Sequence, residues 1–128
     1  MKFQPDHLAG TNVITRLGTG EIWVGGTRFG SSLLVPWVGS VLPWHPNRID
    51  DLAAQDFESV LALEPEVVLF GSGSRLRFVA PGLMRCLIDR RIGVETMDTA
   101  AACRTYNVLV SEGRRAAAAL LLETSHAE

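Results

Sequence analysis

The residues with the most chemical potential in this sequence lie in two short runs, Gly71-Ser72-Gly73-Ser74 followed by Arg75 and Arg77, and Asp98-Thr99. Glycine lets backbone N–H groups approach an anion closely, so the first run suits a phosphate, carboxylate or sulfate. Two arginines two positions apart on an extended segment point the same way. The candidate ligand-binding residues are Gly71, Ser72, Gly73, Arg75, Asp98 and Thr99. Asp98 brings negative charge to the same mouth, which an arginine or a helix N-terminus must offset. Helix capping alone also accounts for it. The turn departs from a dinucleotide fingerprint: position 76, where a third glycine belongs, is Leu76, the next helix is read from about Pro81, and no Gly-Lys-Ser or Gly-Lys-Thr follows. A tight connection without a ligand is the competing reading.

Other chemistry has weaker footing. His7, His45 and His126 are scattered over terminal and loop segments and neither cysteine has a zinc-like spacing, so no metal site is expected. Gly71-Ser72-Gly73 is not a Gly-x-Ser-x-Gly elbow. Cys86 and Cys103 fall inside apolar helical patterns, which predicts buried, unreactive thiols. Glu95 is read as facing solvent or pairing with an arginine, Tyr106 as a core residue with its hydroxyl satisfied at the edge, and Asn107 as bonding a neighbouring loop. No catalytic residue and no cofactor are assigned. Trp37, Trp44 and Phe29 sit on or beside glycine- and proline-rich loops, with Arg48 nearby. Exposed, Trp37, Trp44 and Arg48 suit a protein interface, where aromatics and arginine are enriched. Core closure beneath the N-terminal strands is the alternative, and Trp23, alternating within a strand, is read as structural.

The elements that position these residues follow from periodicity and punctuation. Val13 to Leu17, Glu21 to Val24, Thr27 to Phe29 and Leu33 to Trp37 are β-rich runs separated by glycine breaks, a β-meander whose Gly25-Gly26 is a two-residue hairpin signal. Pro36 places its strand at an edge or at its end. After the rigid loop Pro43-Trp44-His45-Pro46-Asn47, Asp50 or Asp51 is expected to cap a helix to about Ala62, with Leu52, Phe57, Val60 and Leu61 inside. Glu66 to Phe70 holds four successive apolar residues, the mark of a strand covered on both faces. Pro81 opens a helix with Leu83, Met84, Leu87 and Ile88 at helical spacing, Gly93 ends it, and Val94 to Met97 is the next strand. A third helix begins at Asp98 or Thr99, buries Cys103, Tyr106 and Val110, and stops at Gly113. Arg114 to Glu123 favours helix by its alanines and leucines, but the βα order favours a strand, which we adopt. The fold class is therefore α/β: a layered domain with an N-terminal β-meander and a mixed sheet containing parallel βαβ units flanked by helices.

The chain of 128 residues is sized for one domain, spanning positions 1–128. Hydrophobic residues at 47% and charged residues at 20% exclude wholesale disorder. A formal charge of -2 offers no general attraction for nucleic acid or an anionic membrane. The N-terminus is polar and proline-broken, and the apolar runs fall far short of the roughly 20 residues that span a bilayer. No membrane insertion and a cytoplasmic location are expected, with both thiols free in a reducing setting.

Together, Leu69-Phe70-Gly71-Ser72-Gly73, Gly93-Val94-Glu95-Thr96-Met97-Asp98-Thr99, and the run from Thr105-Tyr106-Asn107 to Glu112-Gly113-Arg114 resemble a family of small α/β domains of unknown molecular function. This Mth-type family includes a mitochondrial respiratory complex I assembly factor and an adipogenesis-associated protein. The resemblance covers Val13 to Leu122. It implies a layered α/β fold with a β-rich N-terminal part and a strand after the last glycine, and it brings no catalytic residue. The absence of a basic, serine-rich transit peptide resembles a stand-alone bacterial-type member. The expected function is a non-enzymatic binding or assembly module with a protein partner. The alternative is a small-anion or enzymatic role at the Gly71/Asp98 crevice.

Overall fold

The computed structural model describes residues 10–123, and these residues form eight strands and three α-helices. Strands β1 (Ile14–Gly18), β2 (Glu21–Val24) and β3 (Thr27–Phe29) make a three-stranded antiparallel meander. Val24 pairs with Thr27, so Gly25-Gly26 is the two-residue turn expected. Strands β4 (Leu33–Pro36), β5 (Leu42–Pro43), β6 (Val67–Gly71), β7 (Gly93–Met97) and β8 (Ala116–Leu120) form a second sheet in the order β5-β4-β8-β6-β7. The last three run parallel, while β4 is antiparallel to β8 and to β5. Pro36 is the final residue of its strand.

Helices α1 (Ala54–Leu61) and α2 (Arg85–Asp89) pack on one face of this sheet, and α3 (Thr99–Ser111) with the meander on the other. The crossover rule explains that division. From β6 the chain steps to its neighbour β7 through α2, then returns past β6 to β8 through α3. Right-handed crossovers in opposite directions must lie on opposite faces. Alternation along β6 and β8 then feeds two cores. Val67, Leu69, Ala116, Ala118 and Leu120 meet Ala102, Cys103, Tyr106 and Val110 of α3, together with Ile14, Ile22 and Val24 of the meander. On the other face Val68, Phe70, Ala119 and Leu121 meet Phe57, Val60, Leu87 and Trp44. The alanine run is thus a central strand buried on both sides, and its small side chains leave room for bulkier partners above and below.

Several local expectations change. Asp50 and Asp51 lie in a 3₁₀ turn, Ile49–Asp51, because extended backbone at Leu52 and Ala53 separates that turn from α1. The helix start is held instead by the Asp56 carboxylate, which accepts the Ala53 N–H at 2.9 Å. Phe57 and Val60 are fully buried as expected, with Leu52 and Leu61 half-buried beside them. Pro81 opens a 3₁₀ turn, Pro81–Met84, before five residues of α-helix, which leaves Ile88 exposed. Arg91, with φ +59°, takes the left-handed position after α2, and Gly93 starts β7. Gly113, φ +84°, does end α3, whose N-cap is Asp98.

Candidate functional site

The turns after β6 and β7 leave toward opposite faces, so the crevice expected between them lies where open α/β sheets bind ligands. The structure brings Gly71, Ser72, Gly73, Asp98 and Thr99 together there, and it joins the two turns through the chain's own groups. The Gly73 N–H donates to Thr99 Oγ1 at 2.9 Å, and the Thr99 N–H donates to the Gly73 carbonyl at 2.9 Å. Thr99 Oγ1 in turn donates to the Leu121 carbonyl at 2.7 Å, tying the ends of β6 and β8 to the start of α3. Gly71 is needed for this approach: a Cβ there would stand 2.9 Å from both Thr99 Cα and Oγ1. Asp98 Oδ1 accepts the Ala101 N–H at 2.8 Å and spends its charge on the helix start.

A carboxylate does reside at the glycine turn, and it is internal. Glu123 Oε1 accepts from the Ser74 N–H at 3.2 Å and from Ser74 Oγ at 2.9 Å. Gly73 takes a φ of +110°, which side chains rarely adopt, and a Cβ there would displace the Glu123 carboxylate, whose carboxyl carbon it would meet at 2.8 Å. A cleft of about 310 Å³ opens at this junction, lined by the predicted residues Gly73 and Thr99 together with Ser74, Leu121, Leu122 and Glu123. Sequence reasoning missed Glu123, which stands three residues beyond β8. Only the parallel placement of β8 beside β6 makes the two ends neighbours.

The turn continues into a pinned loop. Ser72 Oγ donates to the Arg75 carbonyl at 2.6 Å and accepts the Arg77 N–H at 3.1 Å, a double contact across five residues. Arg77 pairs with Asp50 at 3.3 Å, so it does not join Arg75 at the crevice. Arg75 is exposed. Val79 is buried against the layer holding Trp44 and Ile49. Between these anchors Leu76 and Phe78 project outward, 52% and 75% exposed. The legible signal was apolar residues alternating with arginines where no helix was expected.

The aromatic loop is corrected in part. Trp44 is buried: its ring meets Phe57 and Phe70 edge-on at centroid distances of 5.8 and 6.2 Å, and its Nε1–H donates to the Asp56 carbonyl. The physical reason is that β5 hydrogen-bonds to β4 and turns the following residue back over the sheet, where the Trp44 N–H meets the Ser32 carbonyl. Trp37 is half-buried against the α3-side core, and Arg48 is exposed.

Tyr106 is buried and its hydroxyl lies between the carbonyls of Asn12 and Pro36, at 2.8 and 3.0 Å. Burial raises its pKa above the ordinary value. Asn107 bonds a strand rather than a loop, accepting the Ile14 N–H and donating to the Ile14 carbonyl. Glu95 is exposed on β7. Cys103 is buried and burial pushes its thiol up to about 12, whereas Cys86 is only half-buried, with a smaller rise from burial and the nearby Glu58. Among the described residues no three His, Cys, Asp or Glu side chains are grouped to hold a metal ion; His7 and His126 lie outside them. No helix among them is long and apolar enough to cross a membrane.

Residues 14–121 match a family model described as a protein of unknown function, DUF498/DUF598. The chain belongs to this family. Over 101 residues it is 39% identical to the NADH dehydrogenase [ubiquinone] 1 alpha subcomplex assembly factor 3 of Bos taurus, a match spanning 77% of this chain and 54% of the relative, so the match spans about half of that relative's length. A crystal structure of a Bordetella parapertussis protein superposes with a TM-score of 0.84 at 39% identity, covering 90% of this chain and 98% of the other. A Bordetella pertussis protein solved in solution, a Mth938-like domain, gives 0.79 at 32% identity, covering 99% and 96%. The family resemblance and the mixed α/β fold read from the sequence are thus both found. The match spans the glycine turn, the Asp98 cap and β8, the elements that build the crevice.

Proposed function

We propose that the chain acts as a single-domain, non-catalytic assembly-type module that works by binding another protein. The observation that carries this reading is Phe78, an aromatic ring 75% exposed on a loop fixed by Ser72, by the Arg77–Asp50 pair and by the buried Val79. A ring held in place before contact loses little freedom on binding, and aromatics in that position are frequent interface anchors. The Arg77–Asp50 pair sets this loop beside the turn that follows Arg48, so Leu76, Phe78 and Arg48 belong to one proposed surface, while Trp37 packs on the α3 face and stands apart as a separate candidate contact. The assembly-factor name of mammalian relatives supports the same reading. The cytoplasm is the compartment this reading assigns, and two free thiols suit its reducing conditions.

The test is quantitative capture of the native protein and of Phe78→Ser from its own cells. A stoichiometric protein partner, lost in Phe78→Ser with the melting temperature unchanged, supports the proposal. Equal capture by both forms, or a co-purifying small molecule in place of a partner, refutes it.

A second reading has its own observation: the turn already holds a carboxylate, Glu123, through Ser74. A small anion of the same chemistry would have to displace Glu123. Phosphate added to Glu123→Ala should then shift the Ser74 amide, and an unmoved Ser74 amide removes this reading.

A further inference from the structure

From the backbone of β7 we infer that the open edge of the five-stranded sheet accepts an extended segment of a partner protein, carrying a lysine or arginine opposite Glu95. The two edges of this sheet differ. On one side β5 has two residues and includes Pro43, which lacks an N–H, so that edge is short and poor in donors. On the other side β7 runs five residues in unbroken register with β6, contains no proline, and among the described residues pairs with no other strand.

The direction of its backbone groups follows from one hydrogen bond. The Met97 carbonyl accepts the Ser72 N–H at 2.8 Å, so Met97 turns its peptide groups toward the β6 side. Successive residues of a strand alternate, which directs Gly93 and Glu95 the same way. Val94 and Thr96 therefore present both N–H and C=O to the open edge, a ready template for strand addition.

The side chains select the occupant. A second copy of this chain, pairing antiparallel so that Val94 and Thr96 of both copies are used, must set Val94 opposite Thr96 and Glu95 opposite Glu95. Like charges directly opposite on one face oppose pairing. Registers that avoid this use only one outward-facing residue from each copy. A partner strand with a basic residue at the central position reverses the sign of that contact, and its flanking residues lie beside Val94 and Thr96, where β-branched or apolar side chains pack. The occupant is thus an extended segment with a central Lys or Arg between β-branched neighbours. This deepens the protein-binding reading and rests on it, while using a surface separate from the Phe78 loop.

The test uses the full chain, isotope-labelled, and two capped nine-residue peptides of alternating valine and threonine, one with a central lysine and one with a central glutamate. The lysine peptide is expected to shift the Val94 and Thr96 amides, slow their hydrogen exchange, and bind about threefold more tightly than the glutamate peptide, as opposite-charge cross-strand pairs do. Glu95→Lys should invert that preference. The idea is overturned if the Val94 and Thr96 amides are already strongly protected in the protein alone, if millimolar lysine peptide leaves them unmoved, or if the two peptides bind alike. Phe78→Ser is expected to keep the peptide response unchanged, so loss of partner capture in that variant bears on the loop and not on the edge.

Discussion

Replacing Thr99 by valine keeps the side-chain shape and removes a single oxygen, which isolates the hydrogen-bonded junction at the head of the sheet. In the wild type that oxygen accepts the buried Gly73 N–H at 2.9 Å and donates to the Leu121 carbonyl at 2.7 Å. Without it both groups lose the hydrogen bond they make in the fold, and Thr99 itself is buried. Leaving a buried donor or acceptor unpaired costs about 1.5 kcal/mol each, so Thr99→Val should lose about 3 kcal/mol. With an unfolding entropy of about 2.1 cal/mol/K per residue, the melting temperature should fall by about 11 °C. Thr99→Ser keeps the hydroxyl and gives up one methyl group, for a loss of about 1 kcal/mol. Urea unfolding of the three proteins measures the ordering, and amide exchange at Gly73 should accelerate in Thr99→Val but not in Thr99→Ser. If Thr99→Val is as stable as Thr99→Ser, or more so, the junction does not hold the strand ends as argued.

Trp44→Ala should cost about 3–5 kcal/mol, as removal of a large buried ring does, with chemical-shift changes centred on Phe57 and Phe70; a near-neutral result would place the ring outside the core. Cys103 gives a pH signature. Its thiol is raised from 9.0 to about 12 in the fold, so the unfolded chain releases the proton first. The contribution of the neutral thiol is full below pH 9 and is lost as pH rises toward about 12, a loss of stability that Cys103→Ala should lack when urea midpoints are compared across that range.

The parts legible in the sequence were those that carry their own pattern. Four apolar residues in succession at Val67 to Phe70 admit only a strand covered on both faces, and Asp98 before a helical run is a cap wherever the helix packs. Ala116 to Leu120 carries no strand pattern of its own. It was readable only because Gly113 ends a helix and the βα order demands another strand. What escaped depends on distant partners. Trp44 sits among prolines that suggest an exposed loop, yet its burial is decided by Phe57 and Phe70, 13 and 26 positions away. Asp56 outcompetes Asp50 and Asp51 for the start of α1 because Leu52 and Ala53 are extended. At the candidate site, the residue types at Gly71 to Ser74 do attract a carboxylate, and nothing local says that the chain supplies one from position 123.

The place of β8 has a consequence for how the molecule comes into being. It is the middle strand of the five-stranded sheet and the last of the described strands in sequence, with β4 on one side and β6 on the other. While the chain is being synthesised, β4 and β6 have no shared neighbour, and the edges that β8 will join stay unpaired. Joining them requires contacts that span up to 90 residues, such as the Leu122 N–H to Ser32 Oγ. Such long-range closure slows folding and makes it depend on nearly the whole segment having emerged. A ribosome stalled before Ala116 would therefore display adhesive, unfinished strands, and the nascent chain is an expected client for chaperones until the alanines of β8 arrive.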